Sequence, residues 1–494
     1  MQTRWTRWLL RAAFAVAFTF LGLMLARTDT GIRARVAATK AGGAAIGAVA
    51  GSADVSMRNR VLLENPALIQ AIRQGGAFGG QFSRQVAQNM FSRLPKAIED
   101  AKAKTEIVEI TDRTWLIRLP IVNVVLFETD AGLVLVDTGM GPAGPAILDA
   151  IREVSDAPLH TVIYTHGHVD HAYGTWALLE AGESPEIIAH ENLPARFERY
   201  VRLRGSLARY MSQPAEQLPR TREDLVWPTR TFHDRLEIEI GGERFVLQHH
   251  RGETDDQLYV WLPGRGALAS ADYYQGFLPN AGNGKRVQRH PEEWAVALRE
   301  MAALEPRILL PAHGEAIDEP AVIGENLTVL ADTLQYIVDH TLAGLNAGKR
   351  KDEIHRSLEL PERLANHPTM KVQYVTPQDI SKMVTLRYTG WWDDIPSHWT
   401  PAPLELRAQT LVEVAGGMEP FVARARDALE TDLRLASHLA DWAFLADPQH
   451  SAAQQLVLDV YEQRILDPTS NTMEMLVYLD AMAAARQAQL NSSG

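Results

Sequence analysis

The sequence predicts an α/β domain built as an αββα sandwich, two sheets covered by helices, followed by an all-α domain. Three observations carry this expectation. Between about Thr105 and Ala316, short apolar runs of strand type alternate with helical stretches. After about Glu319 the strand-type runs vanish and amphipathic helical patterns dominate. Within the first region, one buried-strand pattern runs directly into a loop reading THGHVDHAYG, residues 165–174. Packed sheets commonly present functional loops of this kind at one edge.

The elements follow in chain order. Arg4, Arg7 and Arg11 precede an uncharged stretch of 15 residues, Ala12 to Ala26. That length suits the apolar core of a signal peptide and falls short of the roughly 20 residues that span a bilayer. Residues 1–28 are therefore expected to be a signal peptide or membrane anchor, with residues 12–26 as the tether. The chain is expected to be exported, either periplasmic or anchored to the inner membrane by its N-terminus. Residues 29–56 are rich in Ala and Gly and read as a linker. Residues 57–318 form the expected catalytic domain with a helical lead-in. Its strands are expected at Thr114–Leu119, Val122–Phe127, Leu133–Asp137, Thr161–Tyr164, Phe245–Gln248, Leu258–Leu262 and Arg307–Leu310, with a helix at Glu292–Leu304. Residues 319–488 form the expected helical domain, with amphipathic stretches at Leu327–Ala343, Pro420–Glu430 and Arg434–Ala446. An aromatic, turn-rich segment from Tyr388 to Trp399 interrupts them. The helices after Leu404 look like paired-helix repeats without a clean period.

Composition narrows the function classes. Apolar content of 46% and charged content of 22% are those of a globular protein. A net charge of −12 argues against a nucleic-acid partner, which calls for a basic face. The absence of cysteine removes disulfides, thiolate metal sites and thiol nucleophiles, and it fits an oxidising compartment.

The decapeptide at 165–174 carries the chemistry. His166, His168, Asp170 and His171 fall within six positions, directly after the apolar run Thr161 to Tyr164. Neutral imidazole and carboxylate oxygen are the ligands that zinc and similar divalent ions accept. In an extended loop His166 and His168 point the same way, because side chains alternate with period two. Asp170 and His171, across the turn, can hold a second ion. The chain has 16 histidines in all, and three in one short loop are hard to ascribe to a solvated polar turn.

This pattern resembles the HxHxDH signature of the metallo-β-lactamase superfamily. Further landmarks of that superfamily follow in order: Leu133 to Gly139 (LVLVDTG) with Asp137, then Arg251-Gly252-Glu253-Thr254, then Ala269-Ser270-Ala271-Asp272, then Leu309 to Gly314 (LLPAHG) with His313. Tyr388 to Pro403 (YTGWWDDIPSHWTPAP), Leu358 to Leu364 (LELPERL) and Val414 to Gly417 (VAGG) resemble the dimerisation domain of the alkyl sulfatase branch. Glu253, where most of the superfamily has a third histidine, points to the same branch. Two departures stand out. The family's bridging carboxylate is a glutamate, whereas here it is Asp272. The family commonly adds a sterol-carrier-like domain, which this sequence does not reach.

The resemblance implies two divalent ions, with zinc expected. His166, His168 and Glu253 would form one site. Asp170, His171 and His313 would form the other, and Asp272 would bridge them. Asp255 or Asp256 could stand in for Glu253. Asp137 is expected to orient a ligand rather than to be one. Asp170 and Asp272 are the expected catalytic carboxylates. Two divalent ions, three carboxylates and a bridging hydroxide sum to a neutral core, and the extra oxygen ligand widens the choice of metal towards manganese or iron. Arg286 and Lys285 are the expected sulfate contacts, with Asn280 and Tyr210 as further substrate contacts; guanidinium is the better planar partner for a sulfate. The expected function is hydrolysis of an alkyl sulfate ester, a small molecule with an apolar group, by a metal-bound hydroxide in a homodimeric enzyme. A hydrolase of the same fold acting on another ester, lactone, thioester or phosphodiester is the alternative.

Overall fold

The computed structural model describes residues 93–492, apart from 120, 211–214, 216–217 and 468. The expected signal or anchor, the linker and most of the helical lead-in lie outside the described residues. Two compact units divide between His398 and Trp399.

The first unit holds two sheets. One has seven strands in sequence order: β1 (Glu106–Thr111), β2 (Thr114–Arg118), β3 (Asn123–Thr129), β4 (Gly132–Val136), β5 (Leu159–Ile163), β6 (Glu186–His190) and β7 (Arg230–Phe232). β1 to β4 form an antiparallel meander, and β4 to β7 run parallel. The other has five, in the order β12 (Ile308–Pro311), β11 (Ala267–Ala271), β10 (Leu258–Leu262), β9 (Glu243–His249) and β8 (Arg235–Ile240). Only β11 and β12 pair in parallel there.

Alternation explains why β4 (GLVLV) is buried throughout. Val134 and Val136 face the second sheet in a core with Phe127, Phe245, Leu247, Val260 and Leu310. Leu133 and Leu135 face the opposite way, into a core with Ile147, Ile151, Leu178, Leu193 and Phe197. Strands apolar on both faces are those with a layer on each side. The helices of that outer core are α2 (Gly144–Val154), α4 (Thr175–Glu180) and α5 (Leu193–Arg202), with α1 (Pro95–Lys102) and the one-turn α3 (Val169–Ala172) preceding them in space or sequence. α6 (Arg204–Tyr210) follows α5. Phe127 meets Phe245 edge-on at 5.9 Å between the sheets, so Phe127→Ala would remove about 3–5 kcal/mol of stability.

On the other side, α7 (Pro291–Ala303) buries Trp294, whose indole N–H donates to the Tyr273 carbonyl at 2.9 Å. α8 (Pro320–Asn346) packs on α7 and on β12. α9 (Lys351–Arg356), α10 (Glu362–Ala365) and α11 (Pro377–Thr389) pack on α8 within the same unit. α11 starts at a capping box in which Thr376 and Asp379 satisfy each other's backbone N–H groups.

The second unit, as described, is helical: α12 (Leu404–Val414), α13 (Met418–Thr431), α14 (Leu433–Ala446), α15 (Ser451–Leu466) and α16 (Thr472–Ser492). Ala425, Ala428, Ala436, Ala440, Ala443 and Ala453 are fully buried in its core and let helix backbones approach closely. Asp432 caps α14 by accepting from the N–H groups of Arg434 and Leu435. Among the described residues no helix is long and apolar enough to cross a membrane.

Candidate metal centre and anion cavity

Five connections at one end of the two sheets bring the site together. Asp137 follows β4, the decapeptide follows β5, Glu253 lies between β9 and β10, Asp272 follows β11, and His313 follows β12. Two of these exits are strained. Asp137 sits at φ +67° and Ala271 at φ +49°, in the left-handed region that side chains other than glycine's disfavour. The strain turns each carboxylate off its strand and towards the loop. Gly174 closes the decapeptide where a Cβ would lie 1.9 Å from the Thr138 carbonyl oxygen, so only glycine fits.

His166, His168, Glu253 and Asp272 form one group whose ligand atoms lie within 4.8 Å of one another; Asp170, His171 and His313 form a second. In the first, Glu253 Oε2 stands 3.6 Å from His168 Nδ1 and 4.0 Å from His166 Nε2. In the second, Asp170 Oδ2 stands 3.7 Å from both His171 Nε2 and His313 Nε2. Asp272 faces both groups. Its Oδ2 is 3.9 Å from His166 Nε2, and its Oδ1 is 3.4 Å from His171 Nε2 and 3.3 Å from His313 Nε2. The shorter side chain therefore still faces both groups.

These residues fit a pair of cations. His171 Nε2 and Asp272 Oδ1 are buried without a hydrogen-bond partner, although such atoms are normally satisfied. Burial opposes protonation of His171, yet Asp272, Asp170 and Asp137 together lift its pKa to about 10. Burial likewise opposes ionisation of Asp272, yet His313 and His171 hold its carboxyl well below the usual range. Burial pushes the imidazoles of His166 and His168 well below the ordinary histidine value, towards the neutral form that binds metals. Three carboxylates converging among imidazoles call for positive charge at their centre.

A second layer aims the ligands. Asp137 Oδ2 accepts from His171 Nδ1 at 2.8 Å, leaving Nε2 to face the group, while Asp137 Oδ1 accepts from Thr165 N at 2.7 Å. The Ile121 carbonyl does the same for His313, 2.6 Å from Nδ1. Asn280 Nδ2 donates to Glu253 Oε1 at 2.9 Å, and Gln275 Nε2 to Asp272 Oδ2 at 3.0 Å. The buried Arg289 lies 2.9 Å from Glu253 Oε1 and also bonds the Glu253 carbonyl. Asp256 Oδ2 accepts from Gly167 N, between His166 and His168, at 2.7 Å, and its Oδ1 accepts from Arg196 Nε at 3.0 Å. Glu253, not Asp255 or Asp256, is thus the carboxylate in the group.

Beside His168 opens a small cavity of about 20 Å³, lined by Arg196, Arg199, Tyr200, Leu207, Arg286, Val287 and Arg289. Four of its lining side chains are guanidiniums, held there by α5 and the loop before α7. Burial lowers the pKa of Arg286, which lies near enough to Asp170 for that carboxylate to oppose the shift.

The expected substrate residues are distributed unequally. Arg286 lines the cavity. The Asn280 amide is turned onto Glu253. Lys285 is half-buried, and its side chain is not part of the lining. The insert ending at Tyr210 reaches the cavity through Leu207, while Tyr210 itself is 47% exposed at the end of α6. Arg196, Arg199, Arg289 and Gln275 were not anticipated, and Asp256, expected only as a stand-in for Glu253, instead braces the decapeptide and Arg196. The adjacent acids in Glu253-Thr254-Asp255-Asp256 and the three arginines of α5 were the available signals.

Residues 117–313, which carry the candidate ligands at the strand ends of two facing sheets, match the metallo-β-lactamase superfamily domain. More narrowly, the chain joins that domain to an alkyl sulfatase dimerisation domain, which matches residues 350–488. A linear primary-alkylsulfatase of a Pseudomonas species is 28% identical over 358 residues, covering 67% of this chain and 68% of that one. The alkyl/aryl-sulfatase BDS1 of Saccharomyces cerevisiae is 25% identical over 408 residues, covering 76% and 63%. The solved structure of Pisa1, a stereoselective inverting sec-alkylsulfatase from a Pseudomonas species, shares the fold with a TM-score of 0.69. It is 21% identical and covers 77% of this chain and 66% of its own. The chain thus spans about two thirds of the length of these relatives.

Proposed function

We propose that this chain is an exported, homodimeric metallohydrolase with two divalent ions, cleaving sulfate esters of alcohols. The observation that carries the reading is Asp272, whose two oxygens face two separate ligand groups beside a cavity lined by guanidiniums. His166, His168, Glu253 and one Asp272 oxygen would hold one ion. Asp170, His171, His313 and the other Asp272 oxygen would hold the second. When bound, the ions would supply Lewis acidity and an activated water, or hydroxide, as nucleophile. The mixed imidazole and carboxylate donor set suits zinc, and the carboxylate at position 253 admits manganese or iron.

The chain's own groups orient the rest. Asp137 fixes the His171 tautomer, and Asn280 and Arg289 fix Glu253, so that the ligand lone pairs converge. Arg286 would hold the ester's sulfate oxygens next to the centre by charge-assisted hydrogen bonds. Asp170 and Asp272 would serve as anionic ligands that help hold the ions in place. The names of the relatives support the sulfate ester, the dimerisation domain supports the homodimer, and the arginines followed by a short apolar stretch at residues 4–26 support export.

Guanidiniums accept phosphate as readily as sulfate. The test is therefore hydrolysis by the metal-reconstituted chain of dodecyl sulfate, an aryl acetate and a bis-aryl phosphate side by side. Sulfate release that is lost in His168→Ala supports the reading. Turnover confined to the phosphate or acyl probe moves the substrate to another ester class.

A further inference from the structure

The cavity beside His168 offers little apolar surface to a substrate. Its wholly apolar side chains are two, Leu207 and Val287, against four guanidiniums, one imidazole and one phenol. Pockets that take apolar groups are lined chiefly by apolar and aromatic side chains.

The four guanidiniums are not equivalent. Arg289 is committed to Glu253. Arg196 is committed to Asp256 at 3.0 Å, with Asp255 at 3.3 Å on its other side. Among the described residues, Arg199 and Arg286 make no ion pair; the side chain of Arg286 makes one long bond, to the Lys285 carbonyl at 3.4 Å, and that of Arg199 makes none. Burial lowers the pKa of Arg199; Tyr200 and the more distant Asp255 oppose that shift, while the charges of Arg196 and Arg286 add to it, so the two cations without an ion pair act on each other at the cavity. Two partly desolvated like charges facing one space cost free energy that an anion there would offset. An alkyl sulfate monoester brings one negative charge, and the sulfate reading above assigns it to Arg286. The second cation is left for a second anion.

We infer that the preferred substrate is a short sulfate ester carrying a second anionic group, a carboxylate or another sulfate, and that Arg199 is the residue that selects it. The inference rests on the proposed sulfatase reading for the identity of the first anion.

The experiment is titration calorimetry on the metal-loaded full chain with four non-hydrolysable probes: propanesulfonate, octanesulfonate, sulfopropanoate and propanedisulfonate. The dianions should bind about tenfold more tightly than propanesulfonate, the scale of one charge-assisted contact. In Arg199→Gln that ratio should fall close to unity, whereas Arg199→Lys should restore part of it. Comparing sulfopropanoate with propanedisulfonate decides whether the second anion is carboxylate or sulfate. The inference is overturned by a ratio near unity in the native chain, by a ratio that survives Arg199→Gln, or by octanesulfonate binding more tightly than either dianion. A parallel assay compares sulfate release from propyl sulfate and carboxyethyl sulfate. If neither is cleaved while the binding ratio persists, the sulfatase reading fails and the dianion cavity stands.

Discussion

The metal centre and the arginine cavity lie side by side and are built in opposite ways. In the centre, acids and imidazoles converge from five strand exits, and buried lone pairs are left without hydrogen bonds. In the cavity, guanidiniums converge from one helix and one loop, two of them paired with buried acids and two not. The first region is short of positive charge and the second of negative. The pairs Arg289–Glu253 and Arg196–Asp256 join them, so each region holds the other in place. The difference teaches that the centre defines what chemistry can occur, while the cavity defines on which molecule.

The largest expected effect breaks the centre from within. Asp272→Asn removes the carboxylate that both groups share and should lower sulfate release roughly a thousandfold, the scale of losing several kcal/mol of Lewis-acid stabilisation. Steady-state kinetics with metal counting checks it. Next is the seam between the regions. Asp256→Asn leaves buried Arg196 without its nearest acid and Gly167 N–H with a weaker acceptor, so stability should fall by about 3–5 kcal/mol in denaturant unfolding. Asp137→Asn leaves the ligand set intact but loosens His171, and metal affinity should fall about 10–100-fold in competition with a chelator. On the cavity side, Arg286→Gln should raise KM about tenfold while metal content stays the same, which separates anion binding from metal binding. The smallest effect is at Tyr210. It is half exposed outside the lining, and Tyr210→Phe should change stability by no more than about 0.5 kcal/mol and KM by less than twofold.

The two regions also differ in how far the sequence reveals them. Three histidines and an aspartate in one decapeptide after an apolar strand state a metal site outright, because ligands i and i+2 in an extended loop share a face. Glu253, Asp272 and His313 were reached through the resemblance to the metallo-β-lactamase pattern, whose further landmarks follow visible apolar runs in the same order. The strands read from apolar runs, such as β4 and β10, lie where expected; the more polar β1 and β8, with alternating exposure, gave weaker signals. Arg196 and Arg199 were not legible, since three residues along an amphipathic helix say which face they share but not what that face meets. Asn280 looked like a substrate contact from its glycine-rich loop, yet the fold turns it onto Glu253, a contact 27 positions away in sequence. Short-range geometry gave the ligands of the decapeptide, the family resemblance gave the other three, and only the packed fold gives the cavity.

The most direct test counts metal ions per chain by mass spectrometry in the reconstituted protein and in Asp272→Asn. Two ions per native chain, with both sites weakened by the single substitution, are expected if Asp272 joins the two groups. One ion or none in the native chain, or a variant that keeps two with undiminished affinity, would contradict a shared dinuclear centre.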